Sequence, residues 1–112
     1  TNRNEYTGGQ LAIKDIIEKL GFPVELEVSF PPYTIDIFLR NTYCAIEYDG
    51  FGHWNKKDRK RDEYLMEHYS LPVLRINDLS NKFDVQQKIL NFIWNWQESA
   101  KARKEVLWMK NI

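Results

Sequence analysis

Two neighbouring runs, "YTIDIFL" (33–39) and "YCAIEYDG" (43–50), constrain this chain more than anything else in it. Both are rich in β-branched and aromatic residues, and Arg40, Asn41 and Thr42 join them, so the pattern predicts a hairpin. A turn centred near Asn41 and Thr42 sets Asp36 roughly opposite Glu47, with Asp49 two residues further along the same face. Three carboxylates then share one patch, while Ile35, Ile37, Ile46 and Tyr48 predict a buried opposite face. Like charges on adjacent strands repel, and acids are disfavoured in strands, so the arrangement needs a cause. One reading is a solvated sheet face with scattered acids. The other is a site for a hard divalent cation such as Mg²⁺, which takes oxygen ligands and acts on a phosphoryl oxygen or a bound water. The cost of gathering the acids favours the second.

The elements around the hairpin follow from turn signals and periodicity. "TGGQLAIKDIIEKLG" predicts a helix, with Thr7 and Gln10 at capping-box spacing, Ile13, Ile16, Ile17 and Leu20 on one stripe, and Gly21 ending it. "VELEVSF" alternates Val24, Leu26, Val28 and Phe30 with polar residues, the period of a half-buried strand, and Pro31 and Pro32 break it. "DRKRDEYLMEHY" predicts a helix, "LPVLRI" a strand, and "DVQQKILNFIWNWQESAKARK" a long closing helix with Val85, Ile89, Phe92, Ile93 and Trp96 as core. The order α-β-β-β-α-β-α predicts an α/β fold of the α+β kind, a mixed sheet flanked by helices. The trailing "KARKEVLWMKNI" either continues that last helix or begins a linker or DNA-contacting extension.

With 112 residues, the chain holds one domain, read as 1–112. Its 43% hydrophobic and 14% aromatic content is globular and excludes a disordered chain. Sixteen basic and sixteen acidic residues cancel, so any attraction for a polyanion has to come from local charge placement. The single Cys44 permits neither an intrachain disulfide nor a cysteine-built zinc site and suits a reducing, intracellular compartment. No signal segment or 18-residue apolar run points to a membrane. The first residue is Thr1 rather than Met, so the sequence is read as a piece excised from a longer protein.

His53 follows Asp49 by four residues, after "GFG", whose glycines allow a sharp turn back toward the strand end. An imidazole there can serve as general acid, base or ligand, although a lone histidine is more often a satisfied surface residue. His68, with no acidic cluster beside it in sequence, reads as structural. The run "KKDRKR" (56–61) places Lys56, Lys57, Arg59, Lys60 and Arg61 where a helix begins. Positive charge there opposes the helix dipole, whereas contact with a phosphate backbone would account for it. Asp58 within the run is either the N-cap of that helix or part of a catalytic set.

"TIDIFL", then "AIEYDGFGHW", then Asp58, Arg61 and Tyr64, then "PVLRI" resemble the PD-(D/E)XK nuclease superfamily over about residues 7 to 95. More narrowly they are similar to the very-short-patch-repair-like catalytic domains, including the phage homing endonucleases of the EDxHD group. The resemblance implies a restriction-endonuclease-like core that hydrolyses phosphodiesters of double-stranded DNA with one or two Mg²⁺ ions. Asp36 would be the central metal ligand and Glu47 its assistant, His53 would activate water or handle the leaving-group proton, and Asp58 would orient His53 or position a second ion or a water. The superfamily's lysine is expected where Asp49 stands, so Arg61 or His53 has to supply its charge or base. The family's first glutamate falls on Gln10, which can hold a water but brings no charge, so it reads either as weakened metal binding or as an inactivated form, and Glu5 is a nearby substitute. The structural zinc of repair members has no ligands here, Cys44 being alone.

The resemblance leaves three readings: a homing-type endonuclease domain, a mismatch nickase of the very-short-patch type, and a weakened DNA-binding module that keeps a nuclease fold. Target choice would lie in a separate region, and a double-strand break would need a homodimer or sequential nicking.

Overall fold

The computed structural model describes residues 8–50 and 56–110, the stretch from 103 onward as backbone alone. Its elements are α1 (Gly8–Lys19), β1 (Glu25–Phe30), β2 (Tyr33–Leu39), β3 (Cys44–Tyr48), α2 (Lys56–Tyr69), β4 (Val73–Ile76) and α3 (Lys82–Lys110), in the expected order. The strands form one mixed sheet in the order β1-β2-β3-β4. β1 and β2, and β2 and β3, pair antiparallel through short turns, whereas β4 runs parallel to β3. Parallel neighbours need a crossover, and α2 supplies it.

Local chemistry sets the helix boundaries. Gly21 adopts φ 97°, and its N–H donates to Glu18 O at 3.0 Å while Phe22 N–H donates to Ile17 O at 3.2 Å, a Schellman closure of α1. Thr7, expected as the cap of α1, lies outside the described residues. α3 is capped by Asn81, whose Oδ1 accepts from Asp84 N–H at 3.2 Å. The helix runs on to Lys110, so the basic tail continues it.

Each face of the sheet carries its own core. One joins Ile37, Leu39, Cys44, Ile46 and Ile76 of the sheet to Ile13, Ile16 and Ile17 of α1 and Val85, Ile89 and Ile93 of α3. The other joins Phe30, Ile35, Phe38 and Ala45 to Leu65 of α2 and to Leu71. Phe92 and Trp96 pack only partly against the first. α2 buries a single residue, Leu65, so its polar contacts bear much of the work of holding it to the sheet.

Alternation in β1 and β2 predicted one apolar face each, and the structure splits both. Leu26 and Ile37 pack in the α1/α3 core, whereas Val28, Phe30 and Ile35 pack under α2. The switch falls at Glu27, which adopts φ 54°, a left-handed conformation that costs a non-glycine residue roughly 1 kcal/mol or more. Pairing continues in unbroken register on both sides, Leu26 with Ile37 and Val28 with Ile35, and lapses only at Glu27 and its counterpart Asp36. Ile35 is therefore not on the face expected for it.

At the start of α1 the helix backbone meets the sheet closely: a Cβ on Gly9 would fall within the Tyr48 ring, whereas one on Gly8 would meet nothing within 4 Å. Gly9→Ala is expected to lower stability by about 1–3 kcal/mol through overpacking. Gly8→Ala is expected to be neutral or slightly stabilising, urea unfolding of the two variants being the measurement.

Candidate active site

The β2–β3 register pairs Ile37 with Ile46 and Phe38 with Ala45, and one further step sets Asp36 against Glu47, as the turn position predicts. Phe38 and Ala45 face α2, so by strand alternation Glu47 does too. Glu47 is only 4% exposed. Its carboxyl lies beside that of Asp36, close enough for the two acids to act on each other's protonation.

Arg61 of α2 closes the site from above. Its Nη2 donates to Thr34 O at 2.6 Å and also lies 2.6 Å from Glu47 Oε1. The second approach is a close charge contact rather than an aligned hydrogen bond, because Oε1 is buried without a hydrogen-bond donor. The guanidinium also lies over the Tyr33 ring, 5.5 Å from its centroid. Burial, and after it the neighbouring Asp36 carboxyl, push the Glu47 carboxyl up to about 8, with Arg61 pulling the other way. Of Arg61 and His53, Arg61 stands within 2.6 Å of Glu47, and His53 lies outside the described residues.

Gln10 is 4% exposed on α1. Its Nε2 donates to the backbone carbonyl of Asp36 at 3.3 Å. Gln10 is thus brought to the backbone of Asp36, as a hydrogen-bond donor rather than as a charge.

The third carboxylate departs from expectation. Asp49 Oδ1 accepts from Arg75 Nη1 at 2.8 Å, and Arg75 also grips Asp62 with two bonds, Nε to Oδ2 at 2.9 Å and Nη2 to Oδ1 at 2.8 Å. Among the described residues no three acids, histidines or cysteines come together to hold a metal, so Asp36, Glu47 and Asp49 do not form one patch. Arg75 and Asp62 went unremarked in the sequence, where one is an arginine in an apolar strand and the other an acid in a charged helix.

Asp58 sits inside the first turn of α2 rather than at its N-cap, and its Oδ1 lies 3.7 Å from Arg75 Nη1. There a carboxylate complements the helix dipole. His53 and its approach to Asp58 lie outside the described residues, as does Glu5. Lys56, Lys57, Arg59 and Lys60 are exposed along the start of α2, and Arg61 points inward. His68 is exposed and stacks on Tyr64 at 3.9 Å between centroids. Cys44 is buried with its Sγ 3.2 Å from Thr42 Oγ1.

Asp36 and Glu47 fit a hard divalent cation. Such an ion commonly takes only one or two protein carboxylates, and Glu47 Oε1 is a buried oxygen without a donor. A cation would offset both the burial and the Asp36 charge that together push the Glu47 carboxyl up.

No protein-family model, curated protein or solved structure matches the chain. Its function has to be read from its own residues.

Because Glu47 titrates higher in the folded chain than its ordinary value of 4.5, its protonation favours folding. That contribution is full below the ordinary value and is lost as pH rises through about 8. In chelator, the wild-type chain is expected to lose urea stability relative to Glu47→Gln between about pH 5 and about pH 9. Mg²⁺ is expected to reverse the trend for the wild type alone, since it binds the ionised form.

Proposed function

We propose that the chain is the catalytic domain of a metal-dependent DNA endonuclease of the homing type, with a restriction-endonuclease-like core. The observation that carries this reading is the placement of half-buried Asp36 beside buried Glu47, with a guanidinium against Glu47 and exposed cations beginning the same helix. A structural sheet has little use for a buried carboxylate beside a second acid, whereas phosphodiester hydrolysis uses such acids beside positive charge.

In this reading Asp36 and Glu47 hold Mg²⁺, which when bound polarises the phosphoryl group and acidifies a water. Lys56, Lys57, Arg59 and Lys60 contact the DNA backbone and set its register without reading its sequence. Arg61, anchored on Thr34 O, offers its remaining N–H groups to charge that develops on the phosphoryl oxygens. Gln10 braces the Asp36 backbone, so that carboxylate stays in place as the strand is loaded. His53 is assigned the proton transfers, with Asp58 its partner, on the strength of the sequence motif.

Target selection is assigned to a region outside 1–112, and a double-strand break to a homodimer or to two successive nicks. No helix among the described residues is long and apolar enough to cross a membrane.

One observation favours a second reading, a DNA-binding module with weakened catalysis: the amide of Gln10 stands where the family has an acid. Plasmid cleavage in Mg²⁺ separates the two. Wild type is expected to nick or cut, and Asp36→Ala to lose at least about a hundredfold in rate. Gln10→Glu sets a carboxylate against the Asp36 carbonyl and is expected to cost about 1–3 kcal/mol in chelator, recovered in Mg²⁺. Cleavage gained only on Gln10→Glu would mark the natural chain as the binding module, and no cleavage by any version would sink the enzyme reading.

A further inference from the structure

The Arg75 cluster lies outside the carboxylate pair, and the proposed chemistry makes no use of it. Arg75 is on β4, directly beside Glu47 in the parallel β3–β4 register, yet its guanidinium turns to other acids. It reaches Asp62 with two bonds and Asp49 with one, and approaches Asp58. Its side chain is 11% exposed, and those of Asp49 and Asp62 are 15% and 22% exposed, so solvent screens these bonds little. Burial works against the Arg75 charge, but Asp62 and Asp49 more than offset this and hold its pKa above the ordinary value.

Geometry gives these bonds a purpose. Asp58 and Asp62 are four residues apart on α2 and so share a face, and Arg61 directly precedes Asp62. Leu65 is the only buried residue of the helix, which leaves its first two turns without an apolar anchor. Two arginine contacts fasten that half instead: Arg75 to Asp62 from the sheet, and Arg61 from the helix to Thr34 O and Glu47. A planar guanidinium with two parallel bonds to one carboxylate fixes angle as well as distance, which an ammonium cannot do.

We propose that Arg75 is a positioning residue: by clamping Asp62 to β4 and to Asp49 at the end of β3, it holds the start of α2 where Arg61 meets the Asp36–Glu47 pair. The catalytic half of this statement rests on the endonuclease reading, and the mechanical half does not.

Hydrogen exchange and cleavage kinetics test the two halves separately on the full chain. In Arg75→Lys, amides 60–66 are expected to exchange at least about tenfold faster than in wild type, with β2 and β3 amides changing less than about threefold. The same variant should lose about tenfold or more in kcat while its Kd for duplex DNA in Ca²⁺ stays within about threefold. Adding Arg75→Lys to Arg61→Ala should cost nothing further, because Arg75 acts through Arg61. Where Arg75→Lys does not fold, Asp62→Asn replaces it, since it opens the clamp and leaves Arg75 paired with Asp49. Unchanged exchange in α2 overturns the proposal. So do losses that multiply in the double variant, or a loss confined to DNA affinity. A wild-type chain that cuts nothing sinks the endonuclease reading instead, and the exchange arm still decides whether Arg75 clamps the helix.

Discussion

Two carboxylates side by side, one of them almost wholly out of water, repel each other and lose hydration together. Asp36 and Glu47 are held in that state by the sheet itself. The pairing of Ile37 with Ile46 fixes the register, and a one-residue slip would move the isoleucines out of the α1/α3 core. The hydrophobic core therefore enforces an electrostatic cost at the next rung of the ladder. The surroundings soften that cost without removing it. Glu47 holds its proton toward neutral pH, and Arg61 approaches one oxygen off the hydrogen-bonding axis. A threonine at either position would satisfy the strand more cheaply, so the acids mark this end of the hairpin as a place where stability is given up.

Positive charge under α2 is shared unequally. Arg75 is the register neighbour of Glu47, but its guanidinium bonds to Asp49 and Asp62. Arg61 divides its Nη2 between a backbone carbonyl and Glu47. Glu47 thus meets one shared guanidinium nitrogen, while Asp62 holds its arginine with two bonds. The segregation depends on bond geometry. A fork-to-carboxylate pair is stiff and directional, and once Asp62 has taken Nε and Nη2, the remaining Nη1 is aimed at Asp49.

What was legible in the sequence was whatever local rules decide. Turn residues at 21, 31–32 and 40–42 separated α1, β1, β2 and β3, periodicity gave the three later elements, and the centre of the β2–β3 turn gave the rung on which Asp36 meets Glu47. The face switch in the first hairpin was not legible. Val24, Leu26, Val28 and Phe30 alternate in the same way whether or not Glu27 reverses the pleat, and a glutamate gives no sign of a left-handed φ. Asp49 shares parity with Glu47 and so read as its companion. Only the tertiary placement of Arg75, on a strand far along the chain, takes it away. Asp62 was hidden for the complementary reason. Within "DRKRDEY" an acid that will be gripped from the sheet looks the same as one left in solvent, because helix periodicity records which face is apolar and not which polar residue finds a partner.

Gln10 brings these strands together. It is buried at the N-terminal end of α1, its backbone neighbour Gly9 is packed against Tyr48 of β3, and its amide supports the carbonyl of Asp36. A third acid placed there would add negative charge and raise the affinity for a cation, but it would also leave the Asp36 carbonyl facing a carboxylate in the metal-free fold. The amide reverses both terms. It donates to the carbonyl and adds no charge, so the metal-free fold forms more easily. In the endonuclease reading proposed above, Gln10 would shift the balance between a stable empty site and a strongly cation-binding one.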